Sequence, residues 1–313
     1  MGTRGWTSRS CRISRMRSKM STQDTRRIGV AKTWKLFMGG AFPRTESGRS
    51  IELLGESGEL VAHICRASRK DLRNAVEMAN GAASGWSGRS GYNRGQILHR
   101  IAEMMEARKS EFIDALRATG TVTMKDARNE TETTIDRMVS LAGWCDKVEQ
   151  VLGCRNPVAG PYHNMSIPEP LGVVGMLAPA DRSLLGLTSM LAPALATGNV
   201  VVALPSEKNP IPGLLLGEIC ATSDVPAGVV NILSGQVKEL LPHFATHRAF
   251  GAVVAAGLTP ARRRLLQEGA VDALVRVHPM MDDVDIDDDG HWTSPRVLMP
   301  FVETKTIWHP VGS

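Results

Sequence analysis

From residue 168 to 256 the chain alternates short, wholly apolar runs with longer segments of helical periodicity. The runs are GVVGML at 172–177, VVVA at 200–203, GVVNIL at 228–233 and GAVVAA at 251–256. They lack the polar alternation of a half-exposed strand and are short for helices. This predicts strands of a parallel sheet covered on both faces. Between and after them, 184–197, 211–223, 235–247 and 260–268 predict helices. Strand, helix and strand in about thirty residues is a βαβ unit. Its repetition makes the fold class α/β, a doubly wound, mostly parallel, Rossmann-like sheet.

Upstream, β-prone runs between 34 and 66 are separated by Gly39-Gly40, Glu46-Ser47-Gly48-Arg49 and Glu56-Ser57-Gly58-Glu59. These turn signals predict two small hairpins. Ser68 stands where a helix N-cap belongs, and Leu72, Ala75, Val76 and Ala79 recur at helical spacing until Gly81 and Gly85, where that helix is expected to end. A second helix carries Ile97, Leu98, Ile101, Met104 and Met105, with Arg94, Arg100 and Arg108 on its polar side. Further helices are expected over 109–119 and 123–148, the latter presenting Ile135, Met138, Val139 and Ala142.

The pattern changes after Met280. Five acids fall within the seven residues from Asp283 to Asp289, which predicts a solvated acidic linker over 278–294. A calcium loop is only approached by Asp285, Asp287, Asp289 and Gly290, because Arg296 stands where the loop needs its Glu. No metal site is expected. The alternation of RVLMPFVETKTIW then predicts a strand within 295–313.

Charge alters the picture little once it is located. Residues 1–30 hold eight Lys or Arg against the single acid Asp24, a local net of +7, so the overall +5 leaves −2 for the rest of the chain. Phosphate recognition needs basic residues spread over a folded surface, so no nucleic-acid partner is expected and 1–30 reads as a disordered basic extension. No apolar run approaches the roughly 20 residues that cross a bilayer. Pro193, Gly198 and Pro205 break the longest candidates, so no membrane partner is expected. The cysteines Cys11, Cys65, Cys145, Cys154 and Cys220 are odd in number and show no CxxC spacing. Small buried thiols in a reducing, cytoplasmic setting are the expectation.

Several segments in order carry a family resemblance: TETTIDRMVSLAGWCDKVEQVLG at 131–153, NPVAGPYHNMSIPEPLGVVG at 156–175, APALATGNVVVALPSE at 192–207 and DVPAGVVNILSG at 224–235. Together they resemble the aldehyde dehydrogenase superfamily from Lys35 to about Glu268. The resemblance implies a cofactor-binding domain over 31–277, with oligomerisation hairpins near 35–66 and 155–170. It also implies that 295–313 is the family's terminal oligomerisation strand. In that family a Cys thiolate attacks the aldehyde, hydride leaves for a nicotinamide cofactor, and a Glu activates the water that releases the acid.

The motifs that carry this chemistry are altered here. The family's Pro-Trp-Asn, whose amide donates to the developing oxyanion, is Pro179-Ala180-Asp181. An ionised carboxylate only accepts hydrogen bonds and repels negative charge, so the role of Asp181 is inverted. The family's Lys-Pro-Ser-Glu is Leu204-Pro205-Ser206-Glu207, which keeps a ribose acceptor in Glu207 and loses the cation. Loss of one charged hydrogen bond weakens binding by about 1–3 kcal/mol. The family's Phe-Thr-Gly-Ser-Thr is Ala255-Ala256-Gly257-Leu258-Thr259, which keeps a helix N-terminus for an anion but puts Leu258 in place of a hydroxyl. The Glu-Leu-Gly-Gly segment is not found, no cysteine follows Cys220, and Cys145 and Cys154 have no His or Lys paired with them in sequence.

The resemblance therefore implies cofactor contacts at Pro179, Ser206, Glu207, Gly257 and Thr259, with NAD or NADP held weakly or no longer held, and no catalytic residue. The function expected is that of a catalytically inactive aldehyde dehydrogenase homologue lacking most of the catalytic domain. It would act as an assembly or regulatory partner, as a homo-oligomer or with a full-length aldehyde dehydrogenase. The alternative is a divergent NAD(P)-dependent oxidoreductase whose site is completed by another subunit.

Overall fold

A computed structural model describes residues 1–2, 30–280 and 285–311. The basic extension expected over 1–30 therefore lies, apart from its ends, outside the described residues. The folded body opens with β1 (Thr33–Trp34), β2 (Ser50–Leu54) and β3 (Leu60–Cys65). There follow α1 (Arg69–Ser87), α2 (Gly91–Ala107), α3 (Lys109–Arg117), α4 (Met124–Ala142) and α5 (Val148–Leu152). A hairpin of β4 (Cys154–Asn156) and β5 (Tyr162–Pro170) leads into β6 (Val173–Leu177), α6 (Leu185–Ala196), β7 (Val200–Leu204), α7 (Ile211–Ala221) and β8 (Val230–Ile232). Next come α8 (Val237–Thr246), β9 (Phe250–Ala255), α9 (Pro260–Ala273) and β10 (Arg276–Pro279). The described chain ends with α10 (Asp289–Trp292), a 3-10 segment over Pro295–Phe301 and β11 (Val302–Pro310).

The central sheet is parallel throughout, in the order β10-β9-β6-β7-β8. The chain winds from β6 outward to β8, then returns to lay β9 against the other side of β6. This reversal puts the topological switch point between β6 and β9, and in such sheets the crevice beyond the carboxyl ends at that point is where ligands bind. Every residue of β6, β7 and α6 is buried. A helix apolar all round must be covered on every side. The second layer supplies that cover, with α2 and α4 packing over α6 and α2 and α3 over α7. On the opposite face α1 lies against β6, β7 and β8, with α8 beside it and α9 beyond. The α/β, doubly wound, mostly parallel expectation describes this architecture.

Four local expectations need correction. The segment 34–66 forms one hairpin, β2 with β3, and β1 runs parallel to β3 instead of making a second. Phe37 supplies the reason: its N–H and C=O exchange 2.9 and 2.7 Å bonds with Ile232, so this stretch covers the edge strand β8. The first helix does not end at Gly81 or Gly85. It continues to Ser87 because Trp86 is buried and its Nε1 donates to the Leu195 carbonyl at 3.2 Å. Arg94 is not simply on a polar face, since its guanidinium donates to the carbonyls of Ala196, Ser87 and Arg89.

The acidic segment is the fourth: Asp285, Asp287, Asp288 and Asp289 are exposed as expected, but the segment is not a free linker. Its residues 281–284 lie outside the described residues, while His278 and Pro279 belong to β10 and Asp285–Ser294 are docked on α4 and the turn that follows it. The buried Arg137 donates to the Ile286 carbonyl and to Asp289 Oδ1 at 2.5–2.8 Å. Trp144 Nε1 donates to the Thr293 carbonyl at 2.7 Å. Trp292 is buried and its Nε1 donates to the Asp285 carbonyl at 2.9 Å. The end of the chain, β11, pairs antiparallel along all of β5 within the same chain, completing a three-stranded sheet β11-β5-β4.

Ser68 caps α1 as its position suggested, and Asp71 closes the box from the other side. Asp71 is 2 % exposed and accepts from Thr45 Oγ1 at 2.6 Å, Ser68 N at 2.7 Å, Ser68 Oγ at 2.9 Å and Glu46 N at 3.2 Å. Burial alone raises this carboxyl, but the bonds from Thr45, Ser68 and Glu46 together outweigh it and hold Asp71 below the usual carboxylate range. A lowered carboxyl adds stability at neutral pH that is lost as pH falls through its folded-state value. Asp71→Asn puts an amide NH2 against these donors and is expected to cost about 2 kcal/mol in urea unfolding at neutral pH, with the gap narrowing toward acid. An unchanged midpoint means the box contributes nothing.

Candidate functional site

Three loops meet at the carboxyl edge of the sheet: 178–184 after β6, 205–210 after β7 and 256–259 after β9. The first is tied to the second by Ser206. Its buried Oγ donates to the Ala180 carbonyl at 2.7 Å and accepts from Lys208 N at 3.2 Å and Asn209 N at 3.3 Å. That hydroxyl is fully engaged in joining loops. Pro179 sits at the switch point between Gly186 and Gly257. A Cβ on Gly186 would lie 2.4 Å from the Pro179 ring, so only glycine lets the first turn of α6 come this close. Gly257 has φ +65, a left-handed conformation that glycine adopts without strain.

Glu207 bridges two further elements. One carboxylate oxygen accepts from Val237 N at the start of α8 at 2.6 Å, and the other faces Arg262 Nη1 of α9 at 3.4 Å. Thr259 is the N-cap of α9, its hydroxyl accepting from Arg262 N, and Pro260 contributes no N–H. Leu204 is buried at the end of β7, and Leu258 packs partly buried against the core. The fold thus brings Pro179, Ser206, Glu207, Gly257 and Thr259 to one edge of the sheet.

A dinucleotide needs free donors at its phosphates and free acceptors at its riboses, and these residues do not fit one well. Glu207 and the Ser206 hydroxyl are already engaged, the Thr259 hydroxyl is committed to its cap, and Leu204 and Leu258 offer no hydrogen-bonding side chain. Arg262 is a cation at this edge, but it is paired with Glu207.

Asp181 lies on the surface, its side chain 83 % exposed and paired with Lys208 Nζ at 2.8 Å. Beside it Arg182 has φ +53, uncommon for a residue with a Cβ, and donates to Asp287 Oδ2 at 2.5 Å. The buried thiols do not resemble nucleophiles. Burial pushes Cys145 and Cys220 up to about 12, away from the thiolate that attack requires. Cys154 is exposed, and Asn156 Oδ1 accepts its thiol hydrogen at 3.2 Å.

Sequence reasoning missed a cavity of about 460 Å³ on the α4 side of the same edge, lined by Leu116, Val122, Glu130, Asp181, Ser183 and Lys208 among others. Glu130 is 3 % exposed, and its Oε1 accepts from Leu184 N at 2.9 Å and Leu185 N at 3.2 Å, capping α6. Burial pushes this carboxyl above its ordinary value, while the two backbone donors and Arg182 oppose the rise. The signal was present in the spacing. Glu130 and Arg137 share a helical face with Thr134 and Leu141, so two charges point at the core.

The family model of the aldehyde dehydrogenase family matches residues 44–280. The chain belongs to the aldehyde dehydrogenase family. It is 32% identical over 247 residues to 2-hydroxymuconic semialdehyde dehydrogenase of Pseudomonas sp. (strain CF600), covering 76% of this chain and 50% of that one. It is 30% identical over 245 residues to mouse (Mus musculus) retinal dehydrogenase 2, covering 76% of this chain and 46% of that one. Among solved structures, PnpE from Pseudomonas sp. WBC-3 superimposes with a TM-score of 0.73 at 28% identity, over 78% of this chain and 50% of that one. PnpE has also been solved with nicotinamide adenine dinucleotide. This aldehyde dehydrogenase homologue spans about half the length of these relatives. Among the described residues no helix is long and apolar enough to cross a membrane.

Proposed function

We propose that this chain is a catalytically silent aldehyde dehydrogenase homologue that acts as an assembly or regulatory partner, with itself or with a full-length relative in the cytoplasm. The observation that carries the reading is Asp181. The position that should donate to an oxyanion holds an exposed carboxylate paired with Lys208, which opposes the charge that develops in aldehyde oxidation. The thiols of Cys145 and Cys220 are pushed away from ionisation. Oligomerisation through β5 and β11 belongs to the same proposal. It is supported by the exposed Met165 and Trp308 on that sheet, with Tyr162 and Trp308 in edge-to-face contact at 5.9 Å.

Weak or lost cofactor binding follows from the engaged state of Glu207, Ser206 and Thr259. A ligand at one hundred times its Kd stabilises the folded state by about 2.7 kcal/mol. Thermal unfolding of the purified chain with millimolar NAD or NADP is expected to show no shift. A rise matching that figure means that a dinucleotide site survives, and it favours the oxidoreductase reading. The partner role is tested by mixing the chain with a full-length relative and measuring mass by light scattering. A mixed oligomer with altered kinetics supports it, and two unassociated species with unchanged kinetics overturn it.

A further inference from the structure

The cavity beside Glu130 has charge and hydrogen-bonding capacity that the protein itself does not use. Glu130 Oε1 is taken by the two N–H groups of α6, while its second oxygen has no partner among the described residues. Ser183 also lines the cavity at 7 % exposure, and its hydroxyl has no partner among the described residues. The cations on the rim are directed elsewhere: Arg182 donates to Asp287 and Lys208 to Asp181. Leu116 and Val122 supply an apolar wall. A buried carboxylate with an open oxygen, a free hydroxyl lining the same cavity and an apolar wall define a complement of one kind. That complement is a compact cation with several donors on a short apolar stem.

We propose that this cavity binds a small primary ammonium compound, its nitrogen on the second carboxylate oxygen of Glu130 and on the Ser183 hydroxyl, its stem against Leu116 and Val122. Arg182 acts on this buried carboxylate only from a distance, since its guanidinium donates to Asp287, and a cation that donates to Glu130 directly relieves the penalty of burying the charge. An ammonium satisfies both acceptors with its three donors, whereas an alcohol brings one donor and no charge. A carboxylate ligand meets Glu130 as a like charge. The volume of about 460 Å³ is within the range of small-molecule sites. The inference goes beyond the proposed partner role and does not depend on whether a dinucleotide is held, because none of these groups belongs to the Glu207 and Thr259 cluster.

The test is calorimetric titration of the whole chain with butylammonium chloride, with 1-butanol and sodium butyrate as neutral and anionic controls. Saturable one-to-one binding of butylammonium is expected, with neither control binding comparably. Glu130→Gln keeps a carbonyl oxygen for the α6 cap and removes only the charge, so it is expected to fold and to weaken binding by about tenfold or more. Ser183→Ala is expected to weaken it by a few-fold. Absence of saturable butylammonium binding overturns the proposal, as does undiminished binding in folded Glu130→Gln or tighter binding of butyrate. If Glu130→Gln does not fold, amide shifts in the wild-type chain decide the matter. They must centre on Ser183, Leu184 and Leu185, and shifts elsewhere overturn the assignment. These outcomes are separate from those that would refute the partner role, which are read from mass and kinetics.

Discussion

Replacement of Trp292 by alanine is expected to destabilise the folded chain by about 3–5 kcal/mol, the range for truncating a large buried aromatic. The indole is 1 % exposed, its Nε1 donates to the Asp285 carbonyl at 2.9 Å, and the Arg137 guanidinium lies over its ring at 5.6 Å. Removing it opens a cavity and releases the segment that Arg137 holds through Asp289 and Ile286. Trp292→Phe, which keeps most of the volume and loses the donor, is expected to fall between the two. Guanidinium unfolding of the three proteins measures this. A loss below about 0.5 kcal/mol in the alanine variant, the size usual for surface substitutions, would mean that the indole does not dock the segment.

The second large effect concerns Gly251 at the start of β9. The ladder between β6 and β9 changes register there, with Val173 opposite Phe250 and Val174 opposite Ala252, so Gly251 is the extra residue of a bulge. A Cβ at this position would lie 2.1 Å from the Leu171 carbonyl oxygen, a backbone atom that cannot swing away. Gly251→Ala is expected to cost about 3 kcal/mol, at the upper end for overpacking. Gly81→Ala is the opposite case. Gly81 is an exposed glycine inside α1 with nothing within 4 Å of its added Cβ, so this change is expected to stabilise by about 0.5–1 kcal/mol. Thermal unfolding of both variants reads the two signs, and a stabilised Gly251→Ala would contradict the bulge.

These two glycines show what the sequence displays and what it hides. The apolar runs at β6, β7, β8 and β9 are legible because strands covered on both faces need no polar positions. The end of α1 is not, because Gly81 and Gly85 signal a stop while Trp86, one residue later, has a buried site that outweighs their low helix propensity. The acids from Asp285 to Asp289 are exposed as they read, but the docking of their segment is hidden because its partners Arg137 and Arg182 are more than a hundred residues away. At the site, the residues named by the family's wording gather at one edge, since the order of segments fixes the loops that meet there. Their engagement was not legible. Nothing in the string shows that Glu207 is held by Val237 and Arg262, or that Glu130 opens onto a cavity.

We propose that this member of the aldehyde dehydrogenase family does not oxidise aldehydes by itself. It is tested most directly by incubating the purified chain with short aliphatic and aromatic aldehydes and either NAD or NADP, and following formation of the reduced cofactor. The expected result is formation no faster than in the absence of protein. Sustained turnover on the order of 1–1000 per second, the ordinary range for an enzyme, would contradict the account.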